Sequence, residues 1–511
     1  MSLKLAAIFR DHMVVQRNKP IAVFGTGTPY NVVVVSLHTC TTRTKVAEDG
    51  TWYALLPPLP AGEGYNLNVS DETGQCICKD VAVGEVWLAG GQSNMEMALL
   101  DSADGAAVCK AYNGTQIRFY QVPKRAVVDT ELAALEAKTT WKIAASENVG
   151  EMSAVAFYFA QKLTEKLDCV IGIVDCYWGG TSVACWMSCR MLESLTAGQA
   201  QLATYKEQVG TKTVEQYAIE MREYDAAYQH WQEQIDACRL ENPDITWNEL
   251  HERCGECPWP QPTGWQSPFC PNNLHTSMIL RIAPYTLCGF LYYQGEEDVS
   301  RHASYSDMLT ALVKQWRMDW NDWELPFLFV QLPMYRAANA KEDNTWAMQR
   351  EQQSVANAML KHAGMIALTD CGEFDNIHPL DKKTPGQRLA QLAGQMVYGT
   401  GAEITPTVQT MYTDGIALYV MFSHITDTLI LKKTDSKTCF IAGVDGVFYP
   451  AEAELTAPDT IRIFSPSVEM PQSIKYAWYN YGEASWFTKN GLAVPSFRRT
   501  LFVRKKEQDY A

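Results

Sequence analysis

The chain has 511 residues, more than a single hydrophobic core usually serves, so two or three packed regions are expected. With 47% hydrophobic and 20% charged residues it carries ample apolar surface for large cores, which excludes disorder. A net charge of −15 repels phosphate backbones and anionic bilayers, so neither nucleic acid nor a membrane is an expected partner.

At the N-terminus, Arg10 and Asp11 follow too short an apolar stretch for a secretory signal, and no run approaches the length of a membrane span. The chain as it stands is therefore expected in the cytoplasm, or trimmed of a leader. Residues 1–85 read as a β-sandwich, with extended runs at 31–36 and 65–69 and turn signals at Asp49-Gly50 and Pro60-Ala61-Gly62. From 86 the pattern becomes short apolar runs (86–89, 170–174, 287–293, 327–332, 365–368) separated by helical periodicity (154–166, 305–316, 346–360). That alternation predicts an α/β fold over 86–400, a doubly wound parallel sheet flanked by helices.

Residues 195–270 interrupt the alternation: 205–240 is charged and helix-favouring, and 257–270 is rich in Pro, Trp and Cys. This reads as a helical insertion, either a cap beside the site or a solvated hairpin. Cys254 and Cys257 form a lone C-x-x-C between Cys238 and Cys270; no second pair has matching spacing, so no metal is expected. The fifteen cysteines, several inside apolar runs (Cys169, Cys176, Cys288), suit reduced thiols. After a helix at 387–397, with Pro385 near its start and Gly399 past its end, residues 401–511 return to β patterning at 416–422, 428–431 and 460–464.

Ligands of a doubly wound sheet gather at the carboxyl ends of its strands. The first run ends in Gly90-Gly91-Gln92-Ser93-Asn94, whose glycines allow a sharp turn that exposes the Ser93 hydroxyl at a helix start. The others end in Trp178-Gly179-Gly180-Thr181, Gln294-Gly295-Glu296 and Asp375-Asn376-Ile377-His378. Acyl transfer needs this set: a hydroxyl nucleophile, an imidazole of pKa about 6.5 to take its proton, and a carboxylate to orient the imidazole. Ser93, His378 and Asp375 fill those roles, with Asp370 and Glu373 as alternative carboxylates. The Ser93 N–H, a Gly180 N–H and the Gln294 amide are candidate oxyanion donors, and Gln92, Asn94 and Glu296 are further candidate contacts. The G-x-S-x-G elbow, phosphate-binding loops, H-E-x-x-H and dinucleotide fingerprints are absent, and the adjacent Glu296/Glu297 pair is poorly placed for a glycosidase.

Gly84-Glu85-Val86-Trp87-Leu88-Ala89-Gly90-Gly91-Gln92-Ser93-Asn94-Met95-Glu96 resembles the signature of the sialate O-acetylesterases, a branch of the SGNH hydrolases. The likeness extends to Asp11-His12-Met13-Val14-Val15-Gln16-Arg17, Trp178-Gly179-Gly180-Thr181, Tyr293-Gln294-Gly295-Glu296, Ile377-His378-Pro379, Asn490-Gly491-Leu492 and Pro495-Ser496-Phe497. It implies an SGNH catalytic layer with accessory β regions and hydrolysis of sugar acetyl esters through an acetyl-serine, without metal or organic cofactor. Ser93 would be nucleophile, His378 base and Asp375 its partner; Gln294 stands where most SGNH enzymes have asparagine, and Gln92 where aspartate is common. The partner is a small acetylated sugar, of sialic acid (9-O-acetyl) or of acetylated plant polysaccharide, and Arg301 is a candidate for holding a sialate carboxylate. A reading of another class is a catalytically dead carbohydrate-binding protein.

Overall fold

The structure, a computed structural model, describes residues 2–242, 245 and 247–501, with the backbone alone at 247 and 248. Position 1, positions 243, 244 and 246 of the expected insertion, and 502–511 of the expected C-terminal region lie outside the described residues.

The first eighty residues alternate apolar and polar side chains, and they pair as short strands of two small sheets. Ile21–Thr26 lies between Lys4–Leu5 and Thr51–Leu56; Val32–Leu37 lies between Cys40–Lys45 and Gly62–Asp71. Val33, Val35 and Leu37 share a core with Ile21, Val23 and Trp52. The expected runs at 31–36 and 65–69 fall in two of these strands.

β1, Gly74–Gly91, is an 18-residue strand that leaves this region and enters the central sheet. Its first half pairs antiparallel with Gly62–Asp71 and its last third parallel with two central strands, so position 85, the expected boundary, lies within it. Residues 81–92 are buried throughout, which is why no break interrupts the strand. The 11–17 segment clamps this crossing. Gln16 Oε1 accepts the Val86 N–H at 2.8 Å, and Arg17 Nε meets Glu85 Oε1 at 2.5 Å.

The other central strands are β2 (Ile117–Gln121), β3 (Lys142–Ile143), β4 (Ile171–Tyr177), β5 (Gly289–Tyr293), β6 (Phe327–Val330) and β7 (Ala363–Ile366). They stand in the order 3-2-4-1-5-6-7, parallel except for the edge strand β3. β2 and β3 have no counterpart in the sequence reading, because Arg118 and Gln121 break the apolar run that marks a buried parallel strand. The chain fills one flank of β1 first and the other afterwards, so loops diverge at its carboxyl end.

Along β1, Val86 and Leu88 join one core while Trp87 and Ala89 join another, as strand alternation requires. α1 (Ser93–Glu96) follows β1 directly, and α2 (Ala154–Thr164) covers the second face. The insertion supplies α3 (Thr196–Val209), the 28-residue α4 (Val214–Glu241) and α5 (Trp247–Cys254). α6 (Tyr305–Asp319) covers the first face, α7 (Thr345–Met359) packs beside it, and α8 (Lys383–Met396) packs on α2. Among the described residues no helix is long and apolar enough to cross a membrane.

The C-terminal region forms two four-stranded sheets and a two-stranded one around one core, and Ala417–Ser423, Leu429–Leu431 and Thr460–Phe464 match the expected runs. Arg350 of α7 is wholly buried where this region docks, and its guanidinium donates to the Tyr479 carbonyl and the Ser496 hydroxyl. The Thr369 hydroxyl donates to the Val494 carbonyl at 3.1 Å, so the Asn490 to Phe497 stretch braces the segment leading to His378.

Candidate active site

β1 ends in Gly91 at φ +135, and a Cβ there would stand 2.1 Å from the Tyr293 carbonyl, so only glycine lets the chain turn against β5. That turn sets Ser93 at the first position of α1, half-buried, with an N–H that no earlier turn can accept. His378 reaches it from the loop after β7: His378 Nε2 lies 2.8 Å from Ser93 Oγ, across 285 positions of sequence. The His378 N–H donates to Asn376 Oδ1 at 3.0 Å, and Asn376 Nδ2 donates to Glu373, which fixes the loop. Burial first, and then the nearby Lys382 charge, push the His378 pKa down to about 4, so the ring is neutral and able to accept the serine proton.

Asp375 does not join this pair. Its backbone sits at φ +60, its N–H donates to the Arg336 carbonyl at 3.1 Å, and its Oδ1 accepts the Ala338 N–H at 2.6 Å. A left-handed turn at 375 thus faces the carboxylate away toward the 336–338 loop, and among the described residues His378 Nδ1 has no acceptor. Asp370 pairs with Arg388 at 2.7 Å and Glu373 caps the loop amide of Leu380 at 2.7 Å, so neither alternative carboxylate replaces it.

Gln294 is likewise engaged elsewhere. Its Nε2 donates to the Thr181 carbonyl at 3.1 Å and to Asp298 Oδ2 at 2.7 Å, while Oε1 accepts from the Tyr305 hydroxyl at 2.8 Å. With both amide hydrogens used, it holds β4 and β5 together and does not offer an oxyanion donor. Gln92 Oε1 accepts from the Gly295 and Glu297 amides, both at 3.3 Å, joining the ends of β1 and β5.

Gly179 is the glycine against the serine: a Cβ on it would lie 3.4 Å from Ser93 Cβ, and its N–H donates to Glu96 Oε2. Gly180 follows at φ +71. Among the described residues neither the Ser93 nor the Gly180 N–H has a hydrogen-bond partner. Arg301 donates to the Glu297 carbonyl at 2.8 Å and to Asp298 Oδ1 at 3.2 Å, so its charge is already matched.

Behind the pair lies a buried polar chain. Asn94 Nδ2 donates to Glu296 Oε1 at 2.5 Å and to the Ile377 carbonyl at 3.0 Å, while Asn94 Oδ1 accepts from Lys382 Nζ at 2.5 Å. Burial lowers the Lys382 pKa to about 7, with Glu296, Glu373 and Asp381 acting the other way, and burial raises that of Glu296. Asn94 and Glu296 were expected contacts of the site. Lys382 was not: in Asp381-Lys382-Lys383 it reads as part of a solvated charge run.

Residues 262–395 match the family described as carbohydrate esterase, sialic acid-specific acetylesterase. The chain is 27% identical over 440 residues to a sialate O-acetylesterase of Mus musculus, covering 78% of this chain and 74% of that protein. It is 26% identical over 436 residues to the Homo sapiens sialate O-acetylesterase, covering 78% and 72%. The crystal structure of a novel carbohydrate acetylesterase from Xanthomonas citri superposes with a TM-score of 0.76 at 28% identity, covering 97% of this chain and 99% of that one.

Proposed function

We propose that this chain, which belongs with the sialate O-acetylesterases among carbohydrate esterases, removes O-acetyl groups from sugars by a Ser93–His378 mechanism. The contact at 2.8 Å between Ser93 Oγ and His378 Nε2 carries the reading, because it joins a hydroxyl to a neutral base at the carboxyl end of β1. In this reading residues 86–400 are an SGNH-type catalytic layer and 1–85 and 401–511 are accessory β regions.

Ser93 Oγ attacks the acetyl carbonyl carbon as its proton passes to His378 Nε2, and the Ser93 and Gly180 N–H groups receive the oxyanion. The tetrahedral adduct breaks its C–O bond to the sugar, whose oxygen takes the proton from His378, leaving acetyl-Ser93. Water attacks the acetyl carbon, His378 again accepts the proton, and acetate departs as Ser93 regains it. Without a carboxylate on Nδ1, the imidazolium is balanced by the adjacent oxyanion, and the pair acts as a dyad.

Ser93→Ala should lower acetate release from acetylated sugars and simple acetates by at least about 10⁴-fold while the protein stays folded. A fluorophosphonate should label Ser93 in the unmodified protein. Turnover retained by the variant rejects the mechanism; a site inert both to the probe and to acetate esters favours a carbohydrate-binding protein without catalysis.

A further inference from the structure

The insertion puts an aromatic surface at the rim of this site. A Cβ on Gly180 would stand 2.3 Å from Trp259 Cη2 and 2.9 Å from Cζ2, so the indole lies directly on the glycine that follows the one touching Ser93. Phe269 meets it edge-on, with ring centroids 5.5 Å apart at 82°, which fixes its orientation. The rest of the indole is open, at 52% exposure, although it is one of the largest apolar side chains.

Hydrogen bonds to α3, α4 and the turn between them hold the surrounding loop. Trp231 Nε1 on α4 donates to the Gly255 carbonyl at 3.1 Å, Lys212 Nζ to the Thr263 carbonyl at 2.9 Å, and the Tyr205 hydroxyl on α3 to the Gly264 carbonyl at 2.8 Å. The face of α4 continues the aromatic wall, with Tyr224 and Tyr228 stacked 6.0 Å apart at 18°. Tyr228 in turn meets Trp231, ring centroids 5.8 Å apart at 39°, the residue that holds the loop at Gly255.

A half-exposed indole costs solvation unless something covers it. A pyranose ring has a face of C–H groups whose partial positive charge suits the negative face of an indole, while its hydroxyls stay in water. We propose that Trp259 is the platform on which the pyranose ring of the acetylated substrate stacks, bringing its ester to Ser93. The proposal rests on the esterase reading for the position of the ester, and on Gly180 for the adjacency of ring and nucleophile. It assigns the insertion a share of substrate specificity that a solvated hairpin would lack.

Ser93→Ala protein, which does not turn substrate over, permits a binding test independent of catalysis. Calorimetric titration with an acetylated xylo-oligosaccharide should give a Kd about tenfold weaker when Trp259→Ala is added, and within about threefold of the parent when Trp259→Phe is added. In otherwise unmodified enzyme, Trp259→Ala should lower the ratio of kcat/KM for that oligosaccharide to kcat/KM for ethyl acetate by at least about tenfold, through KM. Equal Kd values with and without the indole, or a ratio unchanged by its loss, overturn the platform. Sugar binding that depends on Trp259 in a protein that releases no acetate would leave the platform standing and remove the esterase reading instead.

Discussion

The two walls of the Ser93–His378 site are built on opposite principles. The inner wall, Asn94, Glu296 and Lys382, is buried and its members bond to one another, so each residue constrains the next. The outer wall, Tyr228 on α4 and Trp259 on the loop beside it, rests on a thin core, for α4 buries only Tyr217, Trp231 and Ile235 of its 28 residues. A buried polar network fixes geometry and proton affinity, whereas an exposed aromatic surface touches only what binds to it. The inner wall therefore governs turnover of every acetate, and the outer wall governs which sugar arrives.

Breaking the inner wall should have the largest effect. Lys382→Met removes the cation from Asn94 Oδ1 and leaves Glu296 buried without it, at an expected cost of about 3 kcal/mol in urea unfolding. Turnover of ethyl acetate and of acetylated sugar should both fall at least tenfold, since Asn94 also positions the Ile377 carbonyl beside His378. Loss of the Lys382 charge should raise the His378 pKa, moving the acid limb of kcat/KM upward from about 4. An unmoved limb would show that this lysine does not act on the base.

The depressed histidine also makes stability depend on pH. The ordinary value is 6.5 and the folded value about 4, so between them the unfolded chain binds a proton that the folded site refuses. Stability should fall as pH drops from 6.5 toward 4 and this contribution should level off below that. His378→Gln should flatten the difference, measured as urea midpoints across the window; a parallel offset at all pH values would mean that the folded ring titrates normally.

The inner and outer walls also differ in how far the sequence discloses them. Ser93 and His378 are legible because each follows an apolar run that can only be a buried strand, and strand ends are where a doubly wound sheet collects its reactive groups. Lys382 is not legible, because a lysine in a charged triplet looks solvated until α8 is seen packed on α2. Gln294 misleads for a related reason: an amide at a strand end suits an oxyanion donor, but the Thr181 carbonyl and Asp298 take its two hydrogens and the Tyr305 hydroxyl takes its oxygen. Of the fold, most of the parallel sheet was readable; β3, at the edge, and β2 beside it were not, since Arg118 and Gln121 interrupt the apolar run of β2 and β3 has only two residues. Trp259 was visible only as composition, in a stretch rich in Pro, Trp and Cys, because its meaning depends on meeting Gly180.

Asp375 belongs to neither wall, and it gives the mildest test of the division. An Asp-x-x-His spacing suggests a carboxylate behind the imidazole, but a left-handed residue at 375 sends Oδ1 to the Ala338 amide. Asp375→Asn keeps an oxygen for that amide and tolerates the positive φ, because asparagine visits the left-handed region readily. Activity on ethyl acetate should therefore change by less than about threefold, far below the roughly 10⁴-fold loss that accompanies a missing triad carboxylate. A loss of that size would require the 373–378 loop to rearrange when substrate binds, bringing the carboxylate to His378 Nδ1. The inner wall would then extend to the loop, and the dyad would become a triad only in the occupied site.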